Sequence, residues 1–134
     1  MYPDMNVRIR QIVREDASAW QMMRQELWPD GAADHAAEIA SFFAGTLREP
    51  IAVIVAENAE GVLVGFVELS IRIDVPGLLR RRAGYVEGLY VSPEVRHRGI
   101  ARTLLQASRT WARQQKCDAF VSDRAGRIIV DRSF

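Results

Sequence analysis

The chain reads as an α/β (α+β) fold: a mixed, mostly antiparallel sheet flanked by helices. Three observations predict it. Extended apolar runs at Ile51–Glu57, Leu63–Ile73 and Ala83–Val91 follow one another, the first two joined by a hairpin-type turn, Asn58-Ala-Glu-Gly61. Helical periodicity brackets this block on both sides. The last run leads through Arg96-x-x-Gly99-x-Ala101 into an amphipathic helix, an arrangement that joins strand to helix by a small-residue turn.

Taken in order, Val7, Ile9, Gln11 and Val13 alternate with Arg8, Arg10, Ile12 and Arg14, which predicts a first strand with one apolar face. Asp16 is placed to cap a helix running to Leu27, with Ala17, Trp20, Met23 and Leu27 on one side, and Pro29 stops it. Ala33–Leu47 reads as a second helix with apolar Ile39, Phe42 and Phe43, ended by Pro50. The three extended runs follow as strands. Between the last two, Asp74–Arg82 carries Pro76, Gly77 and three successive arginines and predicts an exposed loop. Gly99–Gln115 is the main helix, with Ile100, Leu104 and Trp111 beside Ala101, Leu105 and Ala112. Asp118–Ser122 is a short fifth strand.

At 134 residues the chain fits one domain, 1–134, without repeat or linker, and is long enough to bury a core. A net charge of +1 supplies no global field for nucleic acid or membrane. The Arg80–Arg82 run lacks interleaved aromatics and reads as a solvated loop. The longest apolar run, Ile51–Ala56, is too short to span a bilayer, and the first residues lack an apolar signal core. Cys117 stands alone, which excludes an internal disulfide and agrees with a reducing compartment. His35 and His97 have no partners at metal-ligand spacing, so no metal is expected. These features predict a cytoplasmic protein.

Chemistry concentrates around the strand-to-helix turn. Small residues there let backbone approach a ligand, and the new helix offers unpaired N–H groups and a positive dipole end. That geometry suits a pyrophosphate, with Arg96 and Arg98 adding positive charge. On the preceding strand Glu87 lies between apolar neighbours. Burial there would raise its pKa and make it a usable base, while a solvent-facing or ion-paired glutamate is the structural alternative. Asp123 follows the fifth strand at the end where open sheets place their sites; a turn-forming aspartate is its alternative. Glu68 is compatible with either sheet face. Trp28 suits a substrate wall or the core, and Tyr85 and Tyr90 fall on opposite faces of one strand, where either can line a site.

With these parts placed, the chain resembles the GNAT superfamily of acyl-CoA-dependent N-acyltransferases over residues 7 to 123. Leu27-Trp28-Pro29-Asp30, Gly65-Phe-Val-Glu-Leu-Ser-Ile-Arg72, Glu87-Gly-Leu-Tyr-Val91, Trp111-Ala-Arg113 and Ser122-Asp123 narrow it to the bacterial aminoglycoside 6′-N-acetyltransferases. The resemblance implies acetyl transfer from acetyl-CoA to a primary amine, by direct attack in a ternary complex. It implies pantetheine lying along the fourth strand, pairing with backbone around Leu89, Tyr90 and Val91, and a pyrophosphate on the turn formed by Arg96, His97, Arg98, Gly99, Ile100 and Ala101. It assigns Trp28, Glu87 and Asp123 to the acceptor site, with Glu87 and Asp123 as catalytic carboxylates and Glu68 and Tyr85 as further acceptor-side candidates. Another small amine such as a polyamine, or acyl-CoA binding without catalysis, are the alternative readings.

The family pattern continues with a further helix and strand, whereas residues 124–134 read Arg-Ala-Gly-Arg-Ile-Ile-Val-Asp-Arg-Ser-Phe. The C-terminal helix and strand are therefore expected to be missing and this segment to be an atypical tail. Ile128–Val130 can form a substitute strand, pair with another subunit or remain disordered. A homodimer covering the exposed side of the sheet is the expected assembly.

Overall fold

The computed structural model describes residues 6–30, 34–124, 127–131 and 134. Six strands form one sheet in sequence order: β1 (Arg8–Gln11), β2 (Ala52–Glu57), β3 (Leu63–Arg72), β4 (Ala83–Val91), β5 (Ala119–Arg124) and β6 (Arg127–Asp131). Every neighbouring pair is antiparallel except β4 and β5. Helices α1 (Ala17–Leu27) and α2 (His35–Ala44) cover one face and α3 (Ile100–Gln114) the other.

Alternation along the strands supplies both cores. In β2, Ala52, Ile54 and Ala56 pack toward α3, while Val53 and Val55 pack toward α1 and α2. In β3, Val67 and Leu69 face α3, and Phe66 joins Trp20, Met23 and Ile39 on the opposite side. The stripe Ile100, Leu104, Ser108, Trp111 and Ala112 seats α3, at the i, i+4, i+8 spacing that buries one helix face. Ser108 satisfies its buried hydroxyl by donating to the Leu104 carbonyl at 2.7 Å.

Several elements depart from the sequence expectation. The first strand stops at Gln11; Ile12 is buried and Val13 is exposed, because the chain turns away through a short 3₁₀ segment at Arg14–Asp16. Asp16 does not cap α1 with its side chain. It accepts from Arg10 at 2.7 and 3.0 Å and from the Val13 amide at 2.9 Å, clamping β1 to the start of the helix. The second helix ends at Ala44, six residues before Pro50, because Gly45 takes a left-handed conformation (φ 77°). Its expected first residue, Ala33, lies outside the described residues. The loop at Asp74–Arg82 is not wholly exposed: a turn in which the Leu78 amide donates to the Val75 carbonyl buries both side chains against Ala83, Ala119 and Val121.

Of the readings open for the tail, the substitute strand is observed. Strand β6 pairs with β5 from Phe120↔Asp131 to Arg124↔Arg127, which extends β5 past its expected end at Ser122. Residues 125–126 and 132–133 lie outside the described set. Phe134 stacks on Phe120 at 6.0 Å, with the Arg109 and Arg113 guanidinium groups over its ring at 5.8 and 4.8 Å. No helix among the described residues is long and apolar enough to cross a membrane.

Candidate active site

The site begins with an irregularity in β4. The register with β3 runs Leu69↔Val86 and then Glu68↔Gly88, so Glu87 is the extra residue of a β-bulge. Tyr85, Glu87, Gly88 and Tyr90 consequently lie on the α1/α2 side, while Val86, Leu89 and Val91 face α3. The bulge also coincides with a splay. The parallel ladder to β5 ends at Val86↔Ser122, leaving β4 from Glu87 onward without a ladder partner on that side among the described residues.

Two cavities meet at this point. One, of about 580 Å³, opens in the splay and is lined by Leu27, Trp28, Arg72, Tyr85, Val86, Glu87, Gly88, Leu89, Leu105, Ser122 and Asp123. The other, of about 570 Å³, lies between α1, α2 and the sheet. Six carboxylates line it, from Asp30, Asp34, Glu38, Glu49, Glu68 and Glu87, against one guanidinium, Arg24. Leu27, Trp28 and Glu87 belong to both. The Trp28 ring lies over Gly88, where an added Cβ would sit 2.5 Å from it; only glycine lets the indole approach the strand this closely.

Glu87 is held bidentately by Arg72, at 2.9 and 3.0 Å. The same guanidinium reaches Glu49 at 3.2 Å and stacks on Tyr85 at 4.4 Å. Burial pushes the Glu87 carboxyl above its ordinary value; Arg72 opposes that shift and Glu49 adds to it. Burial likewise raises the Tyr85 phenol, against the opposing Arg72 charge, which keeps it a hydrogen-bond donor. Ser70 Oγ is buried on the neighbouring strand beside Glu87, whose carboxyl it helps to hold down. Asp123 is exposed at the rim of the splay.

Not every expected residue presents its side chain there. Tyr90 is in the core, stacked on Phe66 at 6.0 Å, so only its backbone remains for a ligand on this strand; of the two tyrosines, Tyr85 lines the cavity. Glu68 is 1% exposed, with both oxygens occupied by Arg24 at 2.7 and 3.0 Å and by the Trp20 indole N–H at 2.9 Å. It forms the floor of the acidic cavity rather than an open contact. Arg24, His35, Glu38, Glu49 and Arg72 were not anticipated as site residues. A signal for Arg24 exists in the sequence: it falls four residues after Trp20 on the buried stripe of α1, where an unpaired cation is not tolerated.

The turn after β4 is built differently. His97 (φ 66°) and Gly99 (φ 87°) are both left-handed, and α3 starts at Ile100 without a side-chain cap. Left-handed turn residues and uncapped amides at a helix start form an anion-binding concavity. Arg96 braces the turn: its Nε donates to the Val91 carbonyl at 2.8 Å and its guanidinium lies 5.9 Å from the Tyr90 ring. Arg98 and His97 are exposed beside it, and Leu89 faces Leu105 across the splay.

Comparison with known proteins decides the family. The acetyltransferase (GNAT) family matches over residues 12–127. This chain belongs to that family. It is 38% identical over 121 residues to an aminoglycoside N(6′)-acetyltransferase type 1 of Klebsiella aerogenes, covering 90% of this chain and 80% of that one. It is 39% identical over 116 residues to the protein of the same name from Stenotrophomonas maltophilia, covering 86% and 73%. Among solved structures, AAC(6′)-Iy in complex with the bisubstrate analog CoA-S-monomethyl-acetylneamine superposes with a TM-score of 0.78 at 31% identity, covering 90% of this chain and 80% of that one. AAC(6′)-Ih from Acinetobacter baumannii gives a TM-score of 0.77 at 30% identity with the same coverage. The GNAT chain is thus an acetyltransferase by family and by fold, with a six-stranded sheet matching those enzymes.

Proposed function

We propose that this protein transfers the acetyl group of acetyl-CoA to the 6′-amino group of an aminoglycoside. The observation that carries this reading is the meeting of two unlike cavities at Glu87 and Trp28: a splayed backbone groove on one side and a pocket of six carboxylates on the other. The groove fits the cosubstrate, since the unpaired edge of β4 offers amides to a pantetheine arm and the left-handed turn before α3 offers them to a pyrophosphate. Bound there, acetyl-CoA supplies an activated thioester. The acidic pocket suits a substrate carrying several ammonium groups.

In this reading Trp28 and the carboxylates orient the acceptor so that one amine faces the splay. An amine attacks only when neutral, and Glu87 accepts its proton, directly or through water near the Ser70 hydroxyl. Burial raises Glu87 toward that task, while Arg72 opposes the rise and holds the carboxylate aimed. A backbone N–H of the Leu89–Val91 segment donates to the carbonyl oxygen as it gains charge. The new N–C bond forms, the C–S bond breaks, and the second proton shed by the nitrogen passes to the departing sulfur, so that CoA leaves along the groove as the thiol. Asp123, on the far rim, adds attraction for the acceptor. Arg96 holds the turn in shape while Arg98 and the amides of Gly99, Ile100 and Ala101 meet phosphate oxygens.

Two finer points complete the proposal. The exposed Ile128 and Ile129 on edge strand β6 support a homodimer that covers them, and the lone Cys117 supports a cytoplasmic setting. An acceptor panel tests the activity. Thiol release with kanamycin-like aminoglycosides, and a product acetylated at the 6′-amine by NMR, is the expected result. Turnover confined to polyamines, or CoA binding without turnover of any amine, would replace this reading.

A further inference from the structure

Beneath the acidic pocket lies a group for which the transfer chemistry has no use. Arg24 is 4% exposed, yet its guanidinium touches both walls of the pocket. Its Nε and Nη2 are taken by Glu68 at 2.7 and 3.0 Å. Its Nη1 donates to Glu38 Oε1 at 2.6 Å and lies 3.2 Å from His35 Nδ1. Arginine can only donate, so His35 Nδ1 is the acceptor, and the ring proton sits on Nε2, which donates to the Trp28 carbonyl at 3.4 Å. The Trp28 ring also lies 5.3 Å from the same guanidinium. One buried side chain therefore connects the tip of α1, the start of α2 and the aromatic wall.

The charges are arranged to a purpose. Glu68, itself fully buried, neutralises Arg24, so the Arg24–Glu68 pair presents no net cation to the pocket. Glu38 stands half-exposed at the other end of Arg24, with only Oε1 committed to it. Its negative charge remains available, in a fixed rotamer, to a second positive group. We propose that Arg24 is a positioning residue which holds Glu38 at the pocket mouth, and that Glu38 so held is a specificity-determining residue for an acceptor ammonium other than the one acetylated. This rests on reading the acidic pocket as the acceptor site. Preorganisation is the physical gain: a free surface glutamate must lose side-chain entropy on binding, whereas this one has already lost it in the folded protein.

The test uses the full chain and calorimetric binding of kanamycin, which requires no turnover, with acetyl-CoA binding as control. E38Q is expected to weaken kanamycin on the order of tenfold, the scale of one charge-assisted hydrogen bond, and to leave acetyl-CoA unchanged. In R24M/E68Q, which removes the buried pair but keeps an acceptor for the Trp20 N–H, kanamycin weakens similarly. Adding E38Q to that background then has little further effect, because Glu38 has lost its anchor. If R24M/E68Q does not fold, R24K takes its place, since a point charge cannot serve Glu68, Glu38 and His35 together. Unchanged kanamycin affinity in E38Q, or fully additive losses in the combined variant, overturns the inference alone. Failure of the wild-type protein to bind any aminoglycoside overturns it together with the function on which it rests.

Discussion

The two halves of the site are made of different material. The proposed acceptor side is made of side chains: carboxylates of α2, of the segment before β2, of β3 and of β4, held by two arginines, Arg24 and Arg72. The proposed cosubstrate side is made of backbone: the edge of β4 that has no ladder partner beyond Val86 among the described residues, and a left-handed turn into α3. A site made of side chains can be retuned one residue at a time, which suits recognition of a variable amine. A site made of amides is insensitive to most substitutions and fails only where a Cβ or a bond disturbs the chain path, which suits a fixed cosubstrate.

Substitutions that separate the halves sharpen this contrast. The largest effect belongs to Glu87→Gln, which removes the proposed base without removing bulk. Steady-state thiol release should show kcat/KM for the acceptor falling roughly 10²- to 10³-fold, within the range for general base catalysis, with KM for acetyl-CoA little changed. Gly99→Val comes next. Space is available at Gly99, but its φ of 87° is hostile to a β-branched residue, so the penalty is conformational. Initial rates should show KM for acetyl-CoA rising about tenfold, equivalent to ~1–2 kcal/mol of backbone strain, while acceptor affinity holds.

A subtler change is expected from Arg72→Gln. Arg72 opposes the burial that raises Glu87, so its removal lets Glu87 rise further. The acidic limb of kcat/KM against pH should move to higher pH, and activity on that limb should be lost sooner as pH falls. A limb that stays in place would show that Glu87 is not the titrating group. The smallest effect on activity is expected outside both halves, where the change is in stability. Arg10 holds the Asp16 carboxyl below its ordinary range, so this clamp stabilises the fold above the unfolded-state pKa and loses its contribution as pH falls through the lower folded value. Chemical denaturation of Asp16→Asn should show a loss of about 1–3 kcal/mol at neutral pH, the scale of a charged hydrogen bond, shrinking once the pH drops below roughly 4.

The same contrast explains what could be read from the sequence. The turn into α3 was legible because backbone geometry has local signatures: glycine at a left-handed turn, a small residue after it and an amphipathic stripe from Ile100 to Ala112. Glu87 and Asp123 were legible as carboxylates in or beside a strand. The pairing of Arg24 with Glu68 was not, since a pair 44 residues apart becomes visible only when α1 is laid on β3. The bulge at Glu87 was equally hidden, because alternation alone gives no reason to insert a residue between Val86 and Gly88. Burial of Val75 and Leu78 was obscured by the arginines and turn residues around them, and β6 stood in the sequence only as one of three open readings for Ile128–Val130.

Thiol release with acetyl-CoA and kanamycin varied independently, for wild type, Glu87→Gln and Gly99→Val, tests the division of the site most directly. The expected pattern is a crossed one: Glu87→Gln lowers kcat with acetyl-CoA KM unchanged, and Gly99→Val raises acetyl-CoA KM with acceptor KM unchanged. Wild-type turnover that survives Glu87→Gln intact, or two variants that shift the same constant, would contradict it.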